Sequence, residues 1–439
     1  MKASNIDHKK LGLELEIYAF DEQIGRGLPL WLPNGTVLRD ELEKLMRELE
    51  FEAGFQRVAT PHLAKEELYY QTGHLPYYAV HMFPSMDTSS LDEARREADA
   101  LPRPSGGEVS ASPHAPDVYR LRPMNCPHHH KIYAARKRSY RELPLRLAEH
   151  GQVYRYEDSG AVSGLLRVRG MTMNDGHIYC TKEQIVGECM AVLAMHRRVY
   201  GILGLSQWKV RLSRHDLGSD TKHKFAEGNA AWNWAEQTLR DVLVASGLPF
   251  EEGPGEAAFY GPKIDFQFRS VTGREETAST LQLDFVMPER LGLTYVGRDG
   301  REQHPFVLHR APLSTHERFV ALLIEHFGGA FPTWLAPVQV RVLPVSEPFA
   351  EYGKEIVTLL RQKRVRAELD AADDALGKKI QKATLRKIPN LLVVGQRERA
   401  DRTVTVRHHR VKAQRSMPLD VFIAELVRSI EERRDPNVT

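Results

Sequence analysis

From Arg155 to Cys180 the chain reads RYEDSGAVSGLLRVRGMTMNDGHIYC, which gathers arginines, a carboxylate and a potential metal ligand into 26 residues. Arg155, Tyr156 and Glu157 alternate in strand fashion, so Arg155 and Glu157 are expected on one face. A guanidinium forks onto a carboxylate or phosphate, and a carboxylate accepts from an exocyclic amine; the pair suits a nucleotide held by both ends. The Gly- and Ser-containing loop that follows returns the chain to Arg167 and Arg169, again spaced for one face. The local reading is a strand-loop-strand clamp for ATP. An isolated Arg-x-Glu also fits a charged surface hairpin, and the rest of the chain decides between the two.

The elements that must position these groups read as follows. A chain of 439 residues, 42% hydrophobic and 27% charged, has the length for two or three domains with cores of their own. Helical periodicity runs from Leu38 to Glu50, and FQRVATPHL then alternates as a strand ending at Pro61. Between Met82 and Tyr119 the composition shifts: SSLDEARREADALP suits one short helix and PRPSGGEVSASPHAP a loop, so an insertion is expected at about 84–118. From Glu183 to Leu203 an amphipathic helix makes Cys189 and His196 packing residues. After FPTWLAPVQ the pattern becomes strand (Gln339 to Pro344), helix (Pro348 to Lys363), strand (Val365 to Leu369), helix (Ala375 to Lys387), strand (Leu391 to Gly395), strand (Thr403 to His408) and helix (Leu419 to Glu432). That alternation marks a separate α/β unit, 338–439.

Charge divides the same way. The net charge is +3, but the segment from Val338 onward holds 21 Lys+Arg against 14 Asp+Glu, which leaves 40 against 44 in the body. A basic C-terminal module suits a phosphate backbone. The three cysteines, Cys126, Cys180 and Cys189, form no C-x-x-C, which excludes a disulfide framework or a compact zinc finger. The N-terminus, MKASNIDHKK, has no apolar signal region, and the longest apolar runs fall short of the ~20 residues that span a bilayer. A cytosolic protein without a membrane partner is expected.

The chain resembles the threonyl-tRNA synthetases, a family of class II aminoacyl-tRNA synthetases, over nearly its whole length. The matching segments are TGHLPYY at Thr72, RPMNCPHHH at Arg122, the Arg155 stretch, AFYGPKID at Ala258, TLQLDF at Thr280 and VLHRAPLSTHERF at Val307. The resemblance implies an α/β (α+β) fold: a class II antiparallel sheet flanked by helices in a catalytic domain, 36–336, after an N-terminal linker or helix, 1–35, and followed by an anticodon-binding domain, 338–439. It implies a homodimer through the Leu38 helix and its strand, with ATP, L-threonine and tRNA(Thr) as partners, and Mg2+ accompanying ATP.

The same resemblance assigns roles. Arg155 would hold the α-phosphate and carboxylate, Glu157 the adenine amine, and Arg167 and Arg318 the γ-phosphate. Arg318 would lie on a helix beginning near Ser314 or Thr315, and Lys263 would be the remaining cation near the α-phosphate. The family's zinc ligands map onto Cys126, His177 and His309, one Zn2+ per subunit in the amino-acid pocket. Three protein ligands leave positions open for the amine and hydroxyl of threonine, which isosteric valine cannot both fill. Asp175 would accept from the threonine hydroxyl; Tyr260, Thr280 and Gln282 would line the pocket; His74 would face the 2′-OH of the terminal tRNA adenosine. The HHH run, His128 to His130, is a rival metal site.

In the C-terminal unit Glu398 and Arg407 match anticodon-contacting positions, whereas Asp373 and Gln381 replace the family's usual Asn and Arg. In the pocket Met173 stands for Gln, Thr277 for Gln and His128 for Gly, which suggests a divergent subgroup with altered walls. Family members carry domains before HKKLG, one of which removes mis-attached serine; here HKKLG begins at His8. The expectation is a form without that editing region that leaks serine unless a separate trans-editing hydrolase corrects it. The rival readings are a prolyl or seryl enzyme, which would not need Cys126, His177 and His309 together, and a non-catalytic RNA-binding regulator, which would not need Arg155, Arg167 and Arg318.

Overall fold

The computed structural model describes residues 6–87, 117–216, 229–270, 273, 275–411 and 413–434. Its larger sheet has eight strands: β1 (Gln56–Arg57), β2 (Leu145–Tyr154), β3 (Gly170–Cys180), β4 (Trp208–Arg214), β5 (Phe250–Pro254), β6 (Lys263–Arg269), β7 (Glu275–Asp284) and β8 (Phe306–Ala311), in spatial order β5-β4-β6-β7-β8-β3-β2-β1. The pairs from β4 to β2 are antiparallel, and the two edge pairs, β5 with β4 and β1 with β2, are parallel.

Alternation along the strands gives this sheet two unlike faces. In β7, Leu281 and Leu283 point into the main core with no exposure, joined by Leu308 of β8, Ile178 of β3, Ile264 of β6 and Leu212 of β4. Helices α1 (Pro33–Glu52), α3 (Ile185–Ile202), α4 (Asn229–Ser246) and α5 (His316–Phe327) contribute to that core, and α2 (Cys126–Ala134) is the remaining long helix of this region. Helix α1 starts with Pro33 in its first turn and buries Leu38, Leu42, Leu45, Met46 and Leu49, a stripe at three- and four-residue spacing. It begins five residues before the apolar run that the sequence marks. Thr315 caps α5 by accepting from the Arg318 N–H at 3.2 Å, and Gly328 ends it with φ +57°, a left-handed conformation that glycine adopts without a Cβ clash.

The opposite face is polar. One row of paired residues runs across it, Ser213–Lys263–Gln282–His309–His177–Leu147, so the pleat alone aligns four of the expected site residues.

Several local expectations change. The strand expected through Pro61 pairs only at Gln56 and Arg57, because the Thr60 N–H turns to the Glu149 carboxylate at 2.9 Å. Strand β2 ends at Tyr154, so Arg155–Glu157 is not strand: the Arg155 N–H makes a last bond to Arg169 O at 2.8 Å, and the Tyr156 N–H turns to His81 O at 2.8 Å. The insertion's ends, Met86–Asp87 and Val118–Leu121, pair as antiparallel strands, while its expected helix and loop lie outside the described residues. Cys189 and His196 are packing residues of α3, both fully buried.

From Val340 a second sheet forms: β9 (Val340–Pro344), β10 (Ala367–Leu369), β11 (Asn390–Val394), β12 (Thr403–His408) and β13 (Arg415–Pro418), in order β10-β9-β11-β12-β13. With α6 (Ala350–Gln362), α7 (Leu376–Leu385) and α8 (Leu419–Glu431) it encloses cores of its own. Ion pairs tie this unit to α1: Arg366 to Glu41 and Arg433 to Glu48, each at 2.5 Å. Among the described residues no helix is long and apolar enough to cross a membrane.

Candidate functional site

On the polar face of the large sheet lies a cavity of about 680 Å³. Its lining includes Cys126, Arg155, Asp175, His177, Tyr260, Lys263, Thr280, Gln282, His309 and Arg318, ten of the residues singled out in the sequence. Met173 and Thr277 are also in the wall. His74, Glu157 and Arg167 are not among the lining residues.

Cys126 stands at the first position of α2, and His177 and His309 are neighbours across β3 and β8. One ligand atom from each lies within 4.8 Å of the others, and all three side chains are buried. Each imidazole has one nitrogen committed elsewhere. His309 Nε2 meets Asp284 Oδ2 at 2.9 Å, and Asp284 Oδ1 accepts the N–H groups of Val286 and Met287 at 2.9 Å each. A carboxylate so held accepts from Nε2–H and leaves Nδ1 with the lone pair. His177 Nδ1 meets His129 Nδ1 at 2.7 Å, while His177 Nε2 is buried with no hydrogen-bond partner among the described residues. That leaves His177 a ring nitrogen to offer, in a trio whose ligand atoms are close enough to hold one cation.

Electrostatics agree. Burial holds His177 well below the usual histidine range, so it is neutral and able to donate its lone pair. Burial, reinforced by Asp175 and Asp284, pushes the Cys126 thiol well up. A dication is what would stabilise the thiolate there. The donor set, one sulfur and two nitrogens, fits zinc.

The HHH run does not form a cluster of its own. His128 Nε2 approaches Leu63 O at 3.5 Å, His129 joins His177 and Glu149, and His130 Nδ1 meets the Tyr179 hydroxyl at 3.0 Å. Consecutive helical residues face about 100° apart, which disperses them.

Around the trio, Tyr260 stacks on His309 with centroids 4.8 Å apart and donates its hydroxyl to Gln282. Gln282 in turn reaches Thr280 Oγ1 at 3.3 Å. Asp175 accepts from Asn125 Nδ2 at 3.1 Å and is nearly buried. Arg155 Nε donates to Pro123 O at 3.2 Å. Arg318 reaches in from the first turn of α5, held by Leu166 O and Thr277 O at 3.3 Å each. Lys263 pairs with Asp265, which also takes the Ser213 hydroxyl at 2.8 Å.

Outside the lining, Glu157 and Arg167 pair with each other at 2.8 Å. His74 is buried against Thr72 Oγ1 (2.8 Å) and Met124 Sδ (3.3 Å), and burial, with Arg155 nearby, lowers its pKa to about 3. In the C-terminal sheet both oxygens of Glu398 are engaged, by the Gly395 N–H at 3.0 Å and the Thr405 hydroxyl at 2.9 Å. Arg407 projects from β12, half-buried.

Sequence reasoning missed Asp284, Asp265 and Glu149, and offered His129 only as part of a rival metal site. Asp284 was findable: it continues the Thr280, Gln282 alternation. Glu149 carried no signal, because its partners are 20 and 89 residues away.

Comparison with known proteins gives a consistent picture. The family model described as tRNA synthetase class II core domain (G, H, P, S and T) matches residues 112–327, and the anticodon binding domain model matches 339–429. The chain is 45% identical over 433 residues to a threonine–tRNA ligase of Thermus thermophilus, and 44% identical over 434 residues to that of Geobacillus kaustophilus, covering 99% of this chain in both cases. It spans 62% of the length of these curated relatives. A solved structure described as the RNA binding domain of threonyl-tRNA synthetase from Cryptosporidium parvum Iowa II superposes with a TM-score of 0.84 at 32% identity, covering 98% of this chain and 99% of that one. On the sheet and on these likenesses together, the chain belongs to the threonyl-tRNA synthetase family of class II aminoacyl-tRNA synthetases.

Proposed function

We propose that this chain activates L-threonine with ATP, forming threonyl-adenylate and pyrophosphate, and transfers the threonyl group to the 3′ end of tRNA(Thr). The observation that carries the reading is the orphaned His177 Nε2 beside Cys126 and His309, in a cavity that Arg155, Lys263 and Arg318 also line. Cys126 Sγ, His177 Nε2 and His309 Nδ1 would hold one Zn2+. Bound there, zinc would supply a Lewis acid for an amine and a neighbouring hydroxyl, a pair that valine lacks.

The chain's own groups do the rest. Asp175, an acceptor when ionised, accepts a hydrogen bond from the threonine hydroxyl. Tyr260, locked by His309 and Gln282, closes the wall where a larger side chain would sit. Arg155 and Lys263 neutralise the carboxylate and α-phosphate as they approach, and Arg318, pre-positioned by two carbonyls, meets the polyphosphate with little reorganisation. Mg2+ enters with ATP. Glu157 and Arg167 grip the adenine amine and γ-phosphate only after their own ion pair opens. His74, neutral by burial, would serve the 2′-OH of the tRNA adenosine as a hydrogen-bond partner once its contacts to Thr72 and Met124 open.

The basic α/β unit would bind the anticodon, with Arg407 reading and Glu398 holding the Gly395 turn beside it. Strand β1 ends the sheet, and among the described residues no strand pairs with its outer edge, which would make it a seam for a homodimer. The proposed division is 36–336 and 338–439, and the separate cores on the two sheets support it. Charging of tRNA(Thr) with labelled threonine by the zinc-loaded chain tests the reading; charging with proline instead, or with no amino acid, would overturn it.

A further inference from the structure

The middle histidine of the HHH run does chemistry at one remove from the site. Glu149 Oε1 accepts the Thr60 N–H at 2.9 Å, and its Oε2 accepts the Thr60 hydroxyl at 2.8 Å and meets His129 Nε2 at 3.1 Å. His129 Nδ1 meets His177 Nδ1 at 2.7 Å, and both rings are fully buried. An ionised carboxylate can only accept, so His129 Nε2 carries the proton. His129 Nδ1 is then a lone pair, His177 Nδ1 must carry a proton to donate to it, and His177 Nε2 is left with its lone pair toward Cys126 and His309. One carboxylate therefore sets the tautomers of two imidazoles in series.

We infer that His129 and Glu149 are positioning residues that hold His177 in the one tautomer able to bind the metal, and that their loss weakens zinc binding without removing a ligand. The inference rests on the zinc reading above. A separate property supports the ionised state of Glu149: burial opposes it, yet His129, Arg122 and Thr60 outweigh burial and bring the carboxyl to about 2.

The relay makes Glu149→Gln a sharp test. Both Glu149 oxygens face donors, so the amide NH2 must displace one of them. The Thr60 N–H cannot turn round, whereas His129 can change tautomer; the NH2 therefore goes to the Oε2 side. His129 then accepts on Nε2, donates from Nδ1, and drives the proton of His177 onto Nε2, where it blocks the metal.

The measurement is the zinc dissociation constant by chelator competition, with bound zinc per chain, for the wild type, Glu149→Gln, His129→Leu and Thr60→Val, each variant checked for folding by its metal-free melt. The expected result is a 10- to 100-fold weaker zinc site in Glu149→Gln and His129→Leu, and a change of under about threefold in Thr60→Val, which keeps the relay. Should Glu149→Gln not fold, His129→Leu decides. A wild type that binds one zinc while the folded variants match it within about threefold overturns the relay alone. A wild type that takes up no zinc overturns the metal reading, and the relay with it.

Discussion

Glu50 lies on the reverse face of the sheet, and replacing it with glutamine should be the most damaging single-atom change in the scaffold. Its Oε1 takes Arg310 Nη2 at 2.7 Å and Asn174 Nδ2 at 2.9 Å, and its Oε2 takes Arg57 Nη1 at 3.1 Å. Glu50 and Arg310 are both fully buried, and the Arg310 guanidinium also lies over the Phe55 ring at 4.3 Å. Glu50→Gln keeps the shape and removes the charge, leaving Arg310 uncompensated; breaking a buried pair in this way costs about 3–5 kcal/mol. At roughly 2–4 °C per kcal/mol for a unit of this size, the first thermal transition at pH 7 should fall by about 10 °C. Arg57, whose side chain is 36% exposed, is the control: Arg57→Ala should cost under ~1 kcal/mol. The acid limb follows from the sign. Burial opposes the Glu50 charge, but Arg310 and Asn174 outweigh it and lower the folded pKa, so the stabilisation is present above about pH 4.5 and lost as pH falls through the lower folded value. Arg310 follows His309 directly on β8, so the pair also seats a proposed zinc ligand. A Glu50→Gln melt within ~2 °C of the wild type would refute this account of how α1 holds the sheet.

Three further outcomes are expected. Burial raises Glu317 to about 7, so its contribution is full below about pH 4.5 and lost as pH rises through 7; Glu317→Gln should therefore stabilise the protein at pH 8, by about 3 kcal/mol at most, and change little at pH 4.5. Melts of both proteins across that range check it, and an equal effect at both ends contradicts it. Arg318→Ala should lower kcat/KM for ATP by about 10²–10³, and Arg167→Ala, exposed and already paired with Glu157, by roughly tenfold; the reverse order would mean that the nucleotide lies elsewhere. Serine should be activated within about 10- to 200-fold of threonine, since a single methyl is all that Tyr260 and its neighbours can sense; exchange kinetics with both amino acids decide it.

The C-terminal unit was legible because its elements are short and strictly alternate. Thr403–His408 appears with the bounds the pattern marks, and the other expected strands and helices fall within two residues or so. What escaped was too brief or too polar to show a period: the helix Gln396–Asp401 and the edge strand Arg415–Pro418. In the catalytic sheet, the motifs pointed to the wall residues, and the pleat explains why Lys263, Gln282, His309 and His177 share a row. Arg155 to Glu157 misled because alternation cannot reveal that the Tyr156 N–H leaves the sheet for His81. The relay behind His177 was hidden for a different reason: a tautomer is set by partners far apart in sequence, and no spacing records it.

The most direct test of the central claim is amino-acid-dependent exchange of pyrophosphate into ATP, without tRNA, on zinc-loaded and zinc-stripped chain, with threonine, serine, valine and proline. The account predicts strong exchange with threonine, weaker exchange with serine, none with valine or proline, and loss of exchange when zinc is stripped and its return when zinc is restored. Exchange with proline alone, or threonine exchange indifferent to zinc, would contradict it.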